Sequence, residues 1–155
     1  VTAGICKALQ QKGYHIGVMK PVSSGGRTDA IFLKRQTGVK ESIDIINPVY
    51  FRKPLAPLFA AQLEHKIINI HKILSSYYRL KKSYQGIIVE GAGGLLVPLK
   101  KDYLIADLIK DMNLPIIIVA RPVLGTINHT LLPINSADKY KIKIAGFANK
   151  KPKDF

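Results

Sequence analysis

The sequence predicts a doubly wound α/β fold, in which helices cover both faces of a mostly parallel sheet. Strand patterns alternate with helix patterns along the whole chain, as they do where crossover helices join parallel strands. Two of the strand patterns, Gly86–Val89 and Pro115–Ala120, are apolar throughout, which is typical of strands buried on both faces. A chain of 155 residues is long enough for one such domain and too short for two.

The composition is that of a globular domain. Hydrophobic residues make up 47% and charged residues 22% of the chain, and no apolar run approaches the roughly 20 residues of a membrane span. Cys6 is the only cysteine, which excludes an intrachain disulfide and a cysteine-based metal cluster and fits a reducing cytoplasm. The net charge of +14 is compatible with a polyanionic partner, but the lysines are scattered and do not alternate with aromatic residues. We therefore do not expect nucleic acid as a partner.

The first quarter of the chain predicts a helix, a strand, a donor-rich loop and a second helix. Val1–Lys12 has helical apolar spacing, and Tyr14–Met19 reads as a strand. The Ser/Gly-rich segment Lys20–Arg27 predicts a loop whose N–H and hydroxyl groups suit an anion. The next helix is Ala30–Gln36, and Asp29 stands at its start, where simple capping is the alternative to a functional role.

The next segment is rich in proline. Three prolines between Glu41 and Pro57 predict an irregular connection with at most one edge strand, around Val49–Phe51. Pro57 is suited to open a helix that runs to Leu63. An amphipathic helix is predicted from about Asn69 to Leu80, with its apolar stripe in the core.

The second half of the chain continues the alternation. Asp102–Met112 reads as a helix, Pro115–Ala120 as a fully buried strand and Thr126 to about Tyr140 as a helix. Ile142–Phe147 supplies a last strand, and Asn149 stands just past its end. The pattern indicates further βαβ units of the same sheet.

A buried strand that ends in a carboxylate and a glycine-rich turn is the strongest chemical signal. Glu90 directly follows Ile87–Val89 and precedes Gly91–Gly94. Ligands of open α/β sheets bind at the carboxyl ends of the strands. P-loop nucleotide enzymes hold Mg²⁺ with such an acid, and glycines let a ligand approach the backbone N–H groups. A solvated glutamate before an ordinary loop is the alternative, which the neighbouring residues must decide.

Polar, glycine-containing or acidic segments stand at four predicted strand ends or helix starts. They are Met19–Gly25, Thr28–Ala30, Val89–Gly94 and Gly125–His129. Together and in this order they resemble the dethiobiotin synthetase family of P-loop enzymes in biotin synthesis. Ile46–Tyr50 also looks like the family, so the resemblance covers nearly all 155 residues. It implies a P-loop NTPase-like α/β fold.

The resemblance also implies a reaction. The family uses ATP and Mg²⁺ to join CO₂ to 7,8-diaminopelargonate and to close the ureido ring of dethiobiotin. A carbamate forms on one amine, ATP phosphorylates it to a carbamic-phosphoric anhydride, and the second amine displaces phosphate. Every step develops or transfers negative charge on oxygen, so the protein mainly needs positioned cations and N–H donors.

Carried over residue by residue, the resemblance assigns roles to particular side chains. Lys20 and Ser24 are the expected catalytic residues, as an electrostatic clamp and a hydrogen-bond donor on the carbamate and the γ-phosphate. Asp29 and Glu90 are the expected Mg²⁺ ligands and part of the nucleotide site. Asn149 matches a position that contacts the nucleotide base. The diamine-binding residues, of which the last four act across a homodimer interface, are Ser24, Gly91, Ala92, Gly93, Gly94, Gly125, Thr126, Ile127 and Asn128.

In the family, Val1 would come directly after the GxxxxGKT phosphate-binding loop. We therefore expect residues 1–155 to be a single α/β domain from the interior of a longer chain. Three alternatives remain at this point. They are another P-loop amidating ligase or ATPase of the same fold, a non-catalytic regulatory domain of that fold, and a nucleic-acid-binding protein supported only by the net charge.

Overall fold

Helices and strands alternate in the computed structural model, which describes residues 1–149; residues 150–155 of the predicted domain lie outside it. The helices are α1 (Thr2–Gln11), α2 (Thr28–Thr37), α3 (Ile43–Ile46), α4 (Pro57–Leu63), α5 (Ile70–Ser83), α6 (Ile105–Asp111) and α7 (Thr126–Lys139). The strands are β1 (Ile16–Met19), β2 (Val22–Ser24), β3 (Val49–Phe51), β4 (Gly86–Val89), β5 (Pro98–Lys100), β6 (Tyr103–Leu104), β7 (Ile116–Ala120) and β8 (Ile144–Asn149). Over these residues, no helix has the length and apolar character needed to cross a membrane.

The helix ends are explained by local chemistry. Asp29 lies in the first turn of α2, where the helix dipole favours negative charge, and α2 ends at Gly38 in the left-handed conformation with φ 68°. Pro57 occupies the first turn of α4. The side chain of Asn69 accepts a hydrogen bond from the Lys72 N–H at 3.0 Å and caps α5. These ends lie within about three residues of the predicted ones, as is usual for helix boundaries.

Three of the four strand pairs are parallel, which confirms the predicted α/β class. β1 pairs with β4, β2 with β3 and β7 with β8 in parallel, whereas β5 and β6 form a short antiparallel hairpin. Within residues 1–149 these pairs do not join into one hydrogen-bonded sheet. Instead, Ile87–Gly94 on one side and Ile116–Val119 on the other line a cavity of about 750 Å³, the β4–β7 groove.

Helices cover both faces of the β1–β4 pair, as predicted. On one face, Val18 of β1 and Ile88 of β4 pack with Cys6 of α1 and Leu33 of α2. On the other face, Met19 and its neighbours pack against α4, α5 and α6 in the largest core cluster. The side chains of successive residues alternate between the two faces, as the pleat of a strand requires. The C-terminal ends of β1 and β4 are therefore held rigidly between two helical layers.

Two local predictions were wrong because short strands form where no pattern indicates them. The predicted loop Lys20–Arg27 contains β2, which pairs with β3, the one edge strand predicted around Val49–Phe51. α6 begins at Ile105 and not at Asp102, because Tyr103 and Leu104 pair with β5. A pair of three-residue strands has no periodicity that the sequence alone could show.

The strands β7 and β8 also differ from their predictions. β7 was predicted to be fully buried, but Ile117 and Val119 are 46% and 47% exposed, because their side chains share one face of β7, which is open to the β4–β7 groove. β8 extends further than predicted and includes Asn149, which pairs with Ala120. Asn149 is thus the last residue of a strand and does not lie beyond it.

Candidate active site

Three charged side chains meet where β1 and β4 end. The register pairs Met19 with Val89, and the Glu90 N–H donates to the Met19 carbonyl at 2.8 Å. Lys20 and Glu90 therefore leave adjacent strands side by side, although 70 positions separate them in the chain. The Lys20 Nζ lies 2.8 Å from Glu90 Oε1 and 3.4 Å from Asp29 Oδ2. We call Lys20, Asp29 and Glu90 the charged cluster.

The members of the charged cluster differ in their exposure to water. The Lys20 side chain is 9% exposed, Glu90 is 32% exposed, and Asp29 on the first turn of α2 is 71% exposed. One ammonium group thus faces two carboxylates, which leaves a net negative charge at a largely buried point. An ion pair in such a place is stronger than at the open surface, since water screens it less. The cluster can attract a further cation from its open side, where Asp29 lies.

The geometry fits a magnesium ion that also binds substrate. Glu90 and Asp29 place oxygen atoms around one common positive charge, and Mg²⁺ takes one or two carboxylates together with water and phosphate oxygens. Over residues 1–149, no group of three or more His, Cys, Asp or Glu side chains forms a self-sufficient metal site. These two carboxylates therefore suit an ion that completes its coordination with substrate and water.

Ser24 carries a buried hydroxyl group at the end of β2. Its Oγ is inaccessible to water and has no hydrogen-bond partner among the described residues. A buried hydroxyl group without a partner costs free energy, so such a group is usually satisfied by a ligand or a water molecule. Ser24 lies four residues after Lys20 in the sequence and pairs with Phe51 in the β2–β3 ladder, and the described residues show no hydrogen bond between its hydroxyl group and the charged cluster.

The turn after Glu90 can only be made with glycine at one position. Gly93 has φ 79°, and a Cβ atom there would lie 2.7 Å from Cγ2 of Val97. The Val97 N–H donates to the Gly94 carbonyl at 3.1 Å, which closes the turn. Gly91, Ala92, Gly93 and Gly94 all line the β4–β7 groove together with Glu90. The predicted diamine-binding turn therefore borders the β4–β7 groove.

The remaining predicted site residues lie at the start of α7 and at the end of β8. Gly125 caps α7 in the left-handed conformation with φ 89°, and Thr126, Ile127 and Asn128 form the first turn of that helix. None of these four, nor Asn149, is among the described residues that line the β4–β7 groove. The structure thus brings Lys20, Asp29 and Glu90 together, and among the described residues it shows no hydrogen bond or ion pair that joins the start of α7 or Asn149 to them.

The surface around the start of α7 is apolar. Leu124 is fully exposed, Ile127 is 74% exposed, and Val123 and Leu131 are also more than half exposed. Contiguous apolar surface of this kind is typical of a protein–protein contact.

The sequence reasoning missed the role of two residues next to the site. Asn47 is completely buried. Arg27 donates a hydrogen bond to the Asn47 side chain and forms an ion pair with Asp44 at 2.7 Å. Asn47 lies in a proline-rich segment without periodicity. Its one signal in the sequence was the Asn-Pro pair, which predicts a turn.

Comparison with known proteins places these features in a family context. Residues 1–154 match a family model described as an AAA domain. The chain is 47% identical over 146 residues to the ATP-dependent dethiobiotin synthetase BioD of Methanococcus vannielii, covering 94% of this chain and 69% of that protein.

Other relatives bear the same name. The protein from Endomicrobium trichonymphae is 41% identical over 150 residues, with 94% of this chain and 69% of the relative covered. The protein from Bacillus subtilis is 41% identical over 151 residues, with 94% and 65% covered. The chain therefore spans about two thirds of the length of these relatives.

Proposed function

We propose, from the premise that this chain belongs to the dethiobiotin synthetase family, that its charged cluster performs the family's reaction. The protein is an ATP- and Mg²⁺-dependent ligase that forms the ureido ring of dethiobiotin from 7,8-diaminopelargonate and CO₂. The observation that carries the assignment of residues is the meeting of Lys20, Asp29 and Glu90 at the ends of β1 and β4. This is the edge at which parallel α/β sheets hold their ligands.

Each side chain has a definite task. One amine of the diamine attacks CO₂ and loses a proton to give a carbamate, whose oxygen then attacks the γ-phosphorus of ATP with ADP as leaving group. In this proposal the Lys20 ammonium group holds the carbamate and phosphate oxygens together, and the Ser24 hydroxyl group, which has no partner among the described residues, donates to the same oxygens. The second amine then attacks the carbonyl carbon, and phosphate leaves as the ring closes.

Asp29 and Glu90 are the residues that would hold Mg²⁺. When bound, Mg²⁺ supplies positive charge that neutralises the phosphate oxygens. The turn Gly91–Gly94 presents a backbone without bulky side chains to the β4–β7 groove, which leaves room for the diamine beside the carboxylates. Asn149 is exposed at the end of β8, and we assign it to the nucleotide base.

We further propose that the enzyme is a homodimer with shared sites. The apolar surface around Leu124 and Ile127 supports a contact at the start of α7. The first turn of the 14-residue helix α7 presents the N–H groups of Ile127 and Asn128 at that surface, whereas the Thr126 N–H donates to the Val123 carbonyl at 3.1 Å, and N–H groups at a helix start favour a carboxylate. In this proposal they bind the tail carboxylate of a diamine whose amines lie in the partner's charged cluster. The lone cysteine supports a cytoplasmic location.

The domain 1–155 is, in this proposal, part of a longer protein. Relatives extend beyond the matched region by about a third of their length, and the free edges of β4 and β7 border one apolar groove. A phosphate-binding loop in the full protein would complete the ATP site, because the described residues supply the acid and the lysine but not a cradle of N–H groups for the phosphates.

The proposed function is tested by the stoichiometry of the full protein's reaction. Purified protein with 7,8-diaminopelargonate, bicarbonate and MgATP should yield dethiobiotin, ADP and phosphate in equal amounts, measured by mass spectrometry and a coupled ADP assay. Omission of the diamine should stop ADP release. ATP hydrolysis that continues without the diamine would favour an ATPase of the same fold, and absence of turnover with retained nucleotide binding would favour a regulatory domain.

The role of the carboxylates is tested by Glu90→Gln in the same assay. A neutral amide in place of a charged metal ligand should lower kcat by a factor on the order of 100 or more, with the Mg²⁺ dependence shifted to higher concentration. Glu64→Gln is the matched control, because Glu64 also pairs with a lysine, Lys66 at 2.7 Å, but lies outside the charged cluster. An unchanged Mg²⁺ dependence in Glu90→Gln would contradict the assignment.

A further inference from the structure

One buried amide uses its whole hydrogen-bonding capacity next to the charged cluster. Asn47 is 0% exposed and lies between α3 and β3. Its Nδ2 donates to the Lys20 carbonyl at 2.7 Å and to the Val49 carbonyl at 3.0 Å. Its Oδ1 accepts from Arg27 Nε at 3.3 Å and lies 3.0 Å from Ser23 Oγ. Both N–H groups and both acceptor sites of this side chain are therefore engaged.

These bonds fasten the segment Lys20–Arg27 at its start, its middle and its end. The Ser23 hydroxyl group shares its single proton between Asn47 Oδ1 and the Gly26 carbonyl at 2.8 Å. Arg27 also donates from Nη2 to the Asn47 carbonyl at 2.6 Å. The Lys20 N–H donates to the Ile46 carbonyl at 2.8 Å. Residues 46 and 47 thus hold the start of this segment at Lys20 and contact it again at Ser23 and Arg27, while the pairing of β2 with β3 holds Val22–Ser24.

The fastening bears directly on the position of the Lys20 ammonium group. Paired residues of β1 and β4 end at Met19 and Val89, so the sheet does not supply a donor for the Lys20 carbonyl, and Asn47 does. The Lys20 Nζ must stay near Glu90, and Ser24 lies on the same short segment. A displacement of about 1 Å at a reacting group can lower a rate by roughly a hundredfold.

We propose that Asn47 is a positioning residue for the reaction, which holds Lys20 in place through the Lys20 carbonyl and is itself held by Arg27. The proposal rests on the function proposed above. It assigns to Asn47 no contact with substrate. Its effect on turnover passes through Lys20, and this distinguishes positioning from a general contribution to stability.

The test compares Asn47→Leu with a matched control in the full protein. Leucine has a similar volume and no polar atom, so the Lys20 carbonyl loses its donor. We expect kcat to fall by a factor of roughly 100, with the KM for ATP changed by less than about threefold. Gln10→Leu is the control, because Gln10 Nε2 also donates to two backbone carbonyls, of Ile16 at 3.2 Å and Thr37 at 3.0 Å, at the other end of β1. The Gln10→Leu variant should lose thermal stability but keep the kcat of the wild type.

A double-mutant cycle separates positioning from stability. In a Lys20→Gln background, Asn47→Leu should lower kcat by less than about threefold more, because the group that it positions is already gone. A full additional loss, or an unchanged kcat in folded Asn47→Leu, would overturn the proposal. If Asn47→Leu does not fold, Arg27→Met carries the same comparisons, since it removes the guanidinium bonds to Asn47 from a more peripheral position.

Hydrogen exchange gives a readout that does not depend on the reaction. Exchange of the Lys20 amide, which donates to the Ile46 carbonyl, should accelerate at least about tenfold in Asn47→Leu and stay unchanged in Gln10→Leu, because local opening governs such rates. Unchanged exchange would overturn the proposal even if activity were lost. Faster exchange in a protein whose wild type forms no dethiobiotin would refute the proposed function while leaving Asn47 as the residue that holds this segment.

Discussion

At the residue scale, the site depends on one lysine between two carboxylates. The Lys20 side chain is only 9% exposed, and its ammonium group would be costly to bury without Glu90 at 2.8 Å. Buried charges of this kind are retained where chemistry needs them, since an apolar replacement is often equally stable. The pairing therefore supports a functional role for Lys20 over that of a surface lysine at a strand end.

The first prediction concerns this ammonium group. Lys20→Gln should lower kcat by roughly a hundredfold, which corresponds to about 3 kcal/mol of transition-state stabilisation, as when one oxyanion donor is removed. The affinity for the diamine should change much less, because the clamp acts mainly on the transferred phosphoryl group. Steady-state kinetics with varied diamine separates the two effects.

Lys66→Gln provides the control for the lysine variant. Lys66 pairs with Glu64 at 2.7 Å, and its side chain is 47% exposed. Among the described residues it forms no ion pair with the charged cluster. Its kcat should remain that of the wild type. A near-normal kcat in Lys20→Gln would mean that Lys20 only neutralises the carboxylates.

At the element scale, the register of two strands and one glycine turn define the site. β1 and β4 end at paired residues, so Lys20 and Glu90, the next residue after each strand, meet at one point. The turn Gly91–Gly94 then leads the chain past the groove, and its shape depends on the left-handed conformation of Gly93. We predict that this turn requires a residue that adopts the left-handed conformation at position 93, and not merely a residue with a small side chain.

Gly93→Ala should destabilise the protein by about 1–2 kcal/mol, because φ 79° strains any L-residue and the new Cβ atom would meet Val97 at 2.7 Å. Gly94→Ala is the matched control, since nothing lies within 4 Å of its added Cβ atom. Urea unfolding of the two variants measures the difference. Equal stabilities would show that the turn adopts another conformation in solution.

At the scale of the whole molecule, the proposed dimer explains why α7 exposes so much apolar surface. Leu124, Ile127 and Leu131 contribute little to the core of the subunit that carries them. A closed dimer with a two-fold axis would bury this surface twice in one interface. It would also place the start of α7 opposite the partner's charged cluster.

Mixing two inactive variants tests the shared site. Asn128→Asp puts a negative charge where the diamine carboxylate is expected, so it should weaken diamine binding far more than ATP binding. An equal mixture with Glu90→Gln should regain up to about a quarter of wild-type activity, because half of the dimers are mixed and each has one intact site. Asn135→Asp, an exposed position on the same helix, is the control for the added charge and should remain active. No recovery in a mixture that contains heterodimers would mean that each subunit builds its own site.

Much of the site could be predicted because its signals are local. A buried strand followed by Glu90 and glycines, a lysine at another strand end and Asp29 at a helix start are all visible in short segments. The strand β2 and the bonds of Asn47 could not be predicted, because each depends on contacts between residues that no shared local pattern links, and the strands of the β5–β6 hairpin are too short to show a pattern. A three-residue strand or a single buried amide has no periodicity to reveal it.

The sequence by itself determined the α/β class, the order of the longer helices and strands and the chemical types at the strand ends, because these depend on periodicity and on which residues end each segment. Only the tertiary structure decided that Lys20, Asp29 and Glu90 share one point, since the β1–β4 register brings positions 70 apart to 2.8 Å. The tertiary structure also decided that Asn47, and not the sheet, holds the Lys20 carbonyl. Distances between remote residues are set by packing against both faces of the strands, and no local pattern encodes them.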